Sequence, residues 1–377
     1  MMKKTLSTIL VATAAMLAAP VVVHAQDMSA AQAKKAPTAK TVKSGRIDVD
    51  GIQNHYQIRG QGAPLLLLHG GLGSVDMFAP IMPALAAKRQ IIGIDLQGHG
   101  RTPLGSRPIS IAAMGADMAA ILKKLGYGPV DVMGYSMGAG VAFQLAVQHP
   151  QQVRRLALVS GSFATEGFYP EMIEAQAQVG SKMAEGMKDT PMYKSYAAAA
   201  PNPGDFPKLL DAMGDMMKKR FDWSADVPKL TMPVMLVYGD SDMYRPEHVV
   251  KFYQLLGGGL KDAGWQRENM PRNRPAILPG LTYYDIFLSP QLPATVLPYL
   301  GVKAAPANWA MGMGCGSTGR TARTGSDLST GPRRTAKSGS ATSPSTRLVA
   351  QNCSKVPGSQ PSVQEGGDCL SARCWVM

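Results

Sequence analysis

"VDVMGYSMGAGVAF", Val130–Phe143, reads as an apolar run, a tight glycine-rich turn and a helix of small residues. It contains Gly134-Tyr135-Ser136-Met137-Gly138, a G-x-S-x-G pattern. Alone the pattern is weak. Its weight comes from the strand before it and the helix after it. In that setting the serine stands on a strained strand-to-helix turn. Glycines must flank it, because a side chain there would strike the neighbouring strand and helix. The helix start behind the serine offers N–H groups and a positive dipole end to an anion. The competing reading is an ordinary serine in a glycine-rich turn.

Outward from this stretch the text alternates. "RIDVDG" and "HYQIR" have the period-two pattern of a hairpin. "PLLLLHG", "QIIGIDLQGHG", "PVDVMGYS" and "VRRLALVSGS" are apolar runs of the kind buried on both faces of a sheet. Helical spacing separates them, around Met77–Lys88, in "IAAMGADMAAILKKLGY" and in "AGVAFQLAVQHP". Strand and helix in this rhythm predict an α/β fold, a mostly parallel central sheet flanked by helices. The rhythm lapses over residues 162–230, which are helical and methionine-rich and read as an inserted cap. It resumes with "MPVMLVYGD", a helix from Glu247, a strand Ala276–Leu278 ending at a Pro-Gly turn, and a helix Leu292–Leu300. The folded domain is expected over residues 45–301.

The chain has 377 residues and a formal charge of +13. Such a charge invites a nucleic-acid partner, but its distribution argues against one. Residues 1–46 carry seven basic and one acidic residue, and 302–377 carry nine and three, which leaves 47–301 near +1. Lys3, Lys4 and an apolar run to Val23, with Val23-His24-Ala25 before Gln26, predict a signal peptide over residues 1–25. The expected mature protein is exported, periplasmic or secreted, without a stable membrane anchor. Residues 26–44 read as a flexible lead-in, and 302–377 have a disordered-tail composition. That tail holds all four cysteines, of which Cys369 and Cys374 could pair in an oxidising compartment. It also holds "GCGSTGRT", Gly314–Thr321, an approximate phosphate loop with Arg320 for lysine and no strand before it. No nucleotide site is read there.

Other residues could serve a reacting serine. An oxyanion hole needs two N–H donors aimed at one point. Met137 supplies one, and Gly71 in "LLLLHGGLGS" the other. His69 in the same turn reads as a structural hydrogen-bonder. Asp95 and His99 in "IDLQGHGRT" read as loop hydrogen bonding. "LVYGDSDMYRPEH" offers Asp242 as the carboxylate that orients a base, with Asp240 as the fallback.

Taken together, "LLHGGLGS", "IDLQGHGRT", "GYSMG", "PVMLVYGDSDMYRPEH" and "AILPGLTYYDIF" resemble the α/β-hydrolases, in particular cap-bearing esterases and haloperoxidase-like serine hydrolases. The resemblance covers Gly51 to Gly301. It implies a triad in the order Ser, Asp, His, with the histidine on the loop after the last strand. The six histidines end at His248, and the loop reads Pro279-Gly280-Leu281-Thr282-Tyr283. Tyr283 therefore occupies the histidine's place. Three explanations compete. The triad is damaged, since a phenol with pKa near 10 is a poor base. Alternatively the base is rewired to Tyr283, Tyr284 or His248, although His248 reads as a surface residue at a helix start. Or the protein is a non-catalytic small-ligand binder. The expected activity is hydrolysis of a carboxylic ester or related acyl bond of a small molecule by Ser136. No cofactor and no metal are expected.

Overall fold

A computed structural model describes residues 41–301. The signal peptide, most of the lead-in, the tail with its cysteines and the approximate phosphate loop lie outside the described residues. Eight strands form one sheet: β1 (Thr41–Val49), β2 (Ile52–Arg59), β3 (Pro64–Leu68), β4 (Gln90–Ile94), β5 (Val130–Tyr135), β6 (Val153–Val159), β7 (Val234–Ser241) and β8 (Arg274–Thr282). Their order is β1-β2-β4-β3-β5-β6-β7-β8. β1 and β2 are antiparallel to each other, and β2 is antiparallel to β4; the remaining pairs are parallel. The hairpin turns on Asp50 (φ 51°) and Gly51 (φ 74°), two consecutive left-handed residues as a two-residue turn requires. β1 begins at Thr41, inside the segment read as lead-in.

The apolar runs sort their side chains by alternation. Leu66 and Leu68 of β3, Val132 of β5, Leu156 of β6 and Leu236 of β7 enter the core on one face. Leu65, Leu67, Met133, Ala157 and Val237 enter the core on the other. Helices cover both faces, which is why these strands are apolar at nearly every position. On the first face lie α2 (Ile111–Lys124), through Met114, Met118 and Leu122, and α3 (Met137–Gln148), through Val141 and Leu145. On the second lies a short α1 (Met82–Ala86), through Met82 and Leu85. The helix expected over Met77–Lys88 is split, because Pro80 and Pro83 have no N–H to donate to a preceding turn.

Between β6 and β7 the chain forms α4 (Pro170–Ala177), α5 (Ala184–Met187), α6 (Pro191–Ala199) and α7 (Phe206–Met217). α8 (Pro246–Leu255) follows β7. α9 (Gln291–Gly301) follows β8 and closes the second face through Leu292, Val296 and Leu300. β8 is longer than the strand expected from its sequence. The pairing of β7 with β8 shifts register between Gly239 and Ser241, and Gly280 (φ 70°) bends the strand so that Ser241 still faces Thr282. The Pro-Gly pair thus makes a bulge rather than an end. No helix among the described residues is long and apolar enough to cross a membrane.

His248 corrects the sequence reading. It is buried, not a surface residue. Its ring stacks on Phe163 with centroids 4.1 Å apart, and its Nε2 hydrogen-bonds the Ser162 hydroxyl at 2.8 Å. Burial holds its pKa down at about 4 and that of His99 at about 3, and it lowers that of His69. In the unfolded chain all three protonate near pH 6.5, whereas in the fold His248 and His99 stay neutral well below that and His69 shifts in the same direction. The stability they contribute is complete above about pH 6.5 and is lost as pH falls towards 4. The slope is up to ~1.4 kcal/mol per pH unit for each histidine. His248→Gln should flatten the pH dependence of the urea unfolding free energy between pH 6.5 and 4 by about one histidine's share. Identical slopes for the two proteins would show that His248 takes up its proton in the fold.

Candidate active site

β5 delivers Ser136 to the C-terminal edge of the sheet, and α3 starts at the next residue. Ser136 adopts φ 54°, ψ −118°, a conformation that L-residues rarely take. The glycines around it have no room for a side chain. A Cβ on Gly138 would lie 2.6 Å from the carbonyl oxygen of His69 and closer still to that of Leu68. A Cβ on Gly134 would lie 2.7 Å from the amide nitrogen of Ala139. The start of α3 therefore sits directly against the end of β3.

That contact brings Gly71 and Met137 together with Ser136 on the wall of a cavity of about 570 Å³. Neither Gly71 N–H nor Met137 N–H has an acceptor among the described residues. The cavity's opposite wall comes from the helical segment between β6 and β7, through Met172, Met213, Met216, Met217, Phe221 and Trp223. Its lining is mostly apolar. Of the methionines in residues 162–230, Met187 and Met192 do not line it.

The flanking polar residues settle into distinct places. His69 is fully buried; its Nε2 accepts from Leu96 N–H at 2.9 Å and its Nδ1–H donates to Gly70 O at 2.7 Å. Asp95 accepts from Val75 and Arg101 N–H, both at 2.9 Å, and from His55. His99 Nδ1–H donates to Gln97 O at 2.8 Å. All three hold loops, as expected. Asp240 accepts from Gly280 N–H at 2.9 Å and serves the bulge in β8.

Asp242 lies at the end of β7 and turns inward. Oδ2 accepts from the Ser160 hydroxyl at 2.6 Å and from Gly239 N–H at 3.2 Å, and Oδ1 accepts from Met243 N–H at 2.8 Å. Burial pushes its carboxyl above the ordinary carboxylate value, against the pull of those bonds. Tyr283 reaches the serine, and the Ser136 and Tyr283 hydroxyls hydrogen-bond each other. Desolvation raises the Tyr283 phenol above its ordinary value, although the bonds to Ser136 and Tyr135 oppose that rise. No hydrogen bond joins Asp242 to Tyr283. Tyr284 is exposed and lines the cavity without touching Ser136.

Two residues in this constellation escaped the sequence reading. Ser160, at φ 46° and fully buried, anchors Asp242. Tyr135 donates its hydroxyl to Tyr283 O at 2.8 Å and packs its ring 4.9 Å from Phe287, so it fixes the loop after β8. Only the position of Tyr135 inside G-x-S-x-G could have marked it; Ser160 carries no sequence signal.

The profile of the α/β hydrolase fold matches residues 63–190. The chain is 30% identical over 210 residues to a pimeloyl-[acyl-carrier protein] methyl ester esterase of Neisseria meningitidis, covering 49% of this chain and 77% of that one. It is 35% identical over 136 residues to the dihydrolipoyllysine-residue acetyltransferase component of an acetoin cleaving system from Cupriavidus necator, covering 35% and 36%. It spans less than half the length of the first curated relatives it matches, between 36% and 47%. The solved structure of E-2-(acetamidomethylene)succinate hydrolase superposes with a TM-score of 0.54 at 19% identity, over 68% of this chain and 98% of that one. An esterase from Thermogutta terrifontis gives 0.53 at 21%, over 70% and 98%.

The strain at Ser136 is measurable. A residue held in such a region costs ~1–3 kcal/mol, and glycine escapes that cost. Ser136→Gly should therefore be about 1 kcal/mol more stable than Ser136→Ala, the mid-range relief of strain less glycine's own entropic penalty of ~0.5–1 kcal/mol. Gly138→Ala should lose about 3 kcal/mol or more, because the clash is with backbone that cannot rotate away. Equal stabilities for the two Ser136 variants in chemical denaturation would contradict the strained turn.

Proposed function

The chain belongs to the α/β-hydrolase family, and on that premise we propose that it is a serine hydrolase of small carboxylic esters or related acyl compounds, with Ser136 as nucleophile. The observation that carries this reading is the strained Ser136 at the mouth of α3, beside two N–H groups and facing an apolar cavity. An acyl group would lie against the methionine and aromatic wall, with its carbonyl oxygen between Gly71 and Met137 N–H. Those donors would stabilise the oxyanion that forms as Ser136 Oγ attacks.

The attack must release the serine's proton. Burial raises the phenol of Tyr283 above its ordinary value, which itself lies well above neutrality, so the group stays protonated at pH 7. Tyr283 thus holds Ser136 in a hydroxyl–hydroxyl bond without offering it a competent base. Asp242 would stand ready to orient an imidazole, with Ser160 and backbone N–H groups already fixing it. We read the protein as an impaired hydrolase. It keeps the nucleophile, the oxyanion donors and the pocket, and turnover is limited by proton transfer. The bond from Tyr283 to Ser136 also favours a second reading, a pocket that binds an acyl compound without cleaving it.

Hydrolysis of a short-chain p-nitrophenyl ester by three proteins separates these readings. Tyr283→His should raise kcat/KM by ~10²–10⁴, or about 3–5 kcal/mol of transition-state stabilisation. Its rate should level off above the imidazole pKa, whereas any phenolate-dependent rate in the parent should climb tenfold per pH unit through neutrality. Tyr283→Phe should match the parent within a few-fold. A large loss in Tyr283→Phe would make the phenol a working base. No gain in Tyr283→His together with an unchanged Tyr283→Phe would favour the binder. In the His variant a fluorophosphonate should label Ser136, read by mass spectrometry; an adduct on another serine would remove Ser136 from the role.

A further inference from the structure

The opposite edge of the sheet carries a second constellation, unrelated to Ser136. Asp131 near the start of β5 is fully buried and receives cations from the residue before β4, two strands away, and from the adjacent β6. Arg89, just before β4, donates Nη1 to Oδ2 at 2.8 Å. Arg154 of β6 grips both oxygens, with Nε at 2.8 Å and Nη2 at 3.0 Å. Arg155 Nη1 stands 4.0 Å from Oδ1 and donates to Leu300 O at 3.2 Å. One carboxylate faces three guanidinium groups, and exposed Lys88 adds a fourth cation. Between them opens a cavity of about 350 Å³ lined by Lys88, Arg89, Arg154, Arg155, Leu300 and Gly301.

Arg89 is the informative member. It is 4% exposed, yet its Nη2 has no hydrogen-bond partner among the described residues. A Cβ built on Gly301, which lines the cavity, would lie 4.0 Å from that Nη2. A buried, charged donor left unsatisfied beside a polar hollow is the kind of group that an anion completes. Asp131 takes Nη1 of this guanidinium and makes no hydrogen bond to Nη2.

We propose that this cavity is a binding site for a phosphate-type oxyanion, free or at the end of a larger molecule. Arg89 Nη2 supplies the buried donor, and the outer faces of Arg154 and Arg155 with Lys88 supply charge at the rim. A guanidinium fork matches two oxygens of a tetrahedral anion, and a phosphate has enough acceptors to engage several cations together. The site lies the length of β5 away from Ser136, about 16 Å at ~3.3 Å per residue. It therefore acts as an anchor or sensor and takes no part in the acyl chemistry.

The test uses the full chain. Titration with inorganic phosphate, against sodium chloride at matched ionic strength, should give a saturable rise in Tm and broadening of the ³¹P resonance. Arg89→Lys keeps a cation for Asp131 and removes Nη2. Lys88→Gln/Arg154→Gln strips the exposed rim. Both variants should shift half-saturation upward by about 10-fold or more, the size expected for losing a hydrogen bond between charged groups. Vesicles of phosphatidic acid in phosphatidylcholine form the second arm. Sedimentation with them that excess phosphate reverses would make a lipid headgroup the source, and its absence beside saturable phosphate binding would make the ligand a dissolved one. The proposal falls if phosphate and chloride act alike, if the variants bind as the parent does, or if vesicles bind and phosphate does not compete. Placed in the Tyr283→His background, both variants should leave the labelling of Ser136 unchanged.

Discussion

The contact on which the site depends is one of backbone against backbone. At Gly138 the first turn of α3 lies on the carbonyls that end β3, with no side chain between them. Any larger residue would push the helix outward and open the strand-to-helix turn. Because the helix is this close, Ser136 is forced to φ 54°, Met137 N–H points to the same cavity as Gly71, and the loop after β8 can lean across through Tyr135. A single steric condition thus places residues from three strands around one point.

Where the structure is governed by burial of runs of residues, it was legible in the sequence. β3 to β7 are apolar at nearly every position because helices cover both faces, and such runs stand out against polar loops. The interest of Tyr283 came from the resemblance to the α/β-hydrolases, which implies a histidine on the loop after the last strand. What failed to show was tertiary. His248 sits in a charged, helix-starting stretch, and nothing nearby reveals that Phe163, 85 positions earlier, will cover its ring. Ser160 reads as one of many serines until β6 and β7 bring it to Asp242. The end of β8 was misread for a different reason. A Pro-Gly pair marks a turn in most contexts, and here the partner strand absorbs it as a bulge.

Net charge was equally uninformative about place. Residues 47–301 sum to about +1, which argues against a broadly basic face. The sum says nothing of how the charges divide. The strands' C-terminal edge opens on an apolar cavity, while their N-terminal edge gathers Lys88, Arg89, Arg154 and Arg155 around one buried carboxylate. Parallel strands make such a division easy, because every strand start lies on one side and every strand end on the other.

Asp242 shows what the fold requires of this region and what it leaves open. Its carboxylate is already held by Ser160, Gly239 and Met243, and Tyr283 is held by Ser136 and Tyr135. Nothing between the two is left in want of an imidazole. What the fold asks of position 283 is a ring that packs against Tyr135 and a polar atom that reaches the serine. On the proposed reading, a lineage crosses between turnover and mere binding by one codon change at this position.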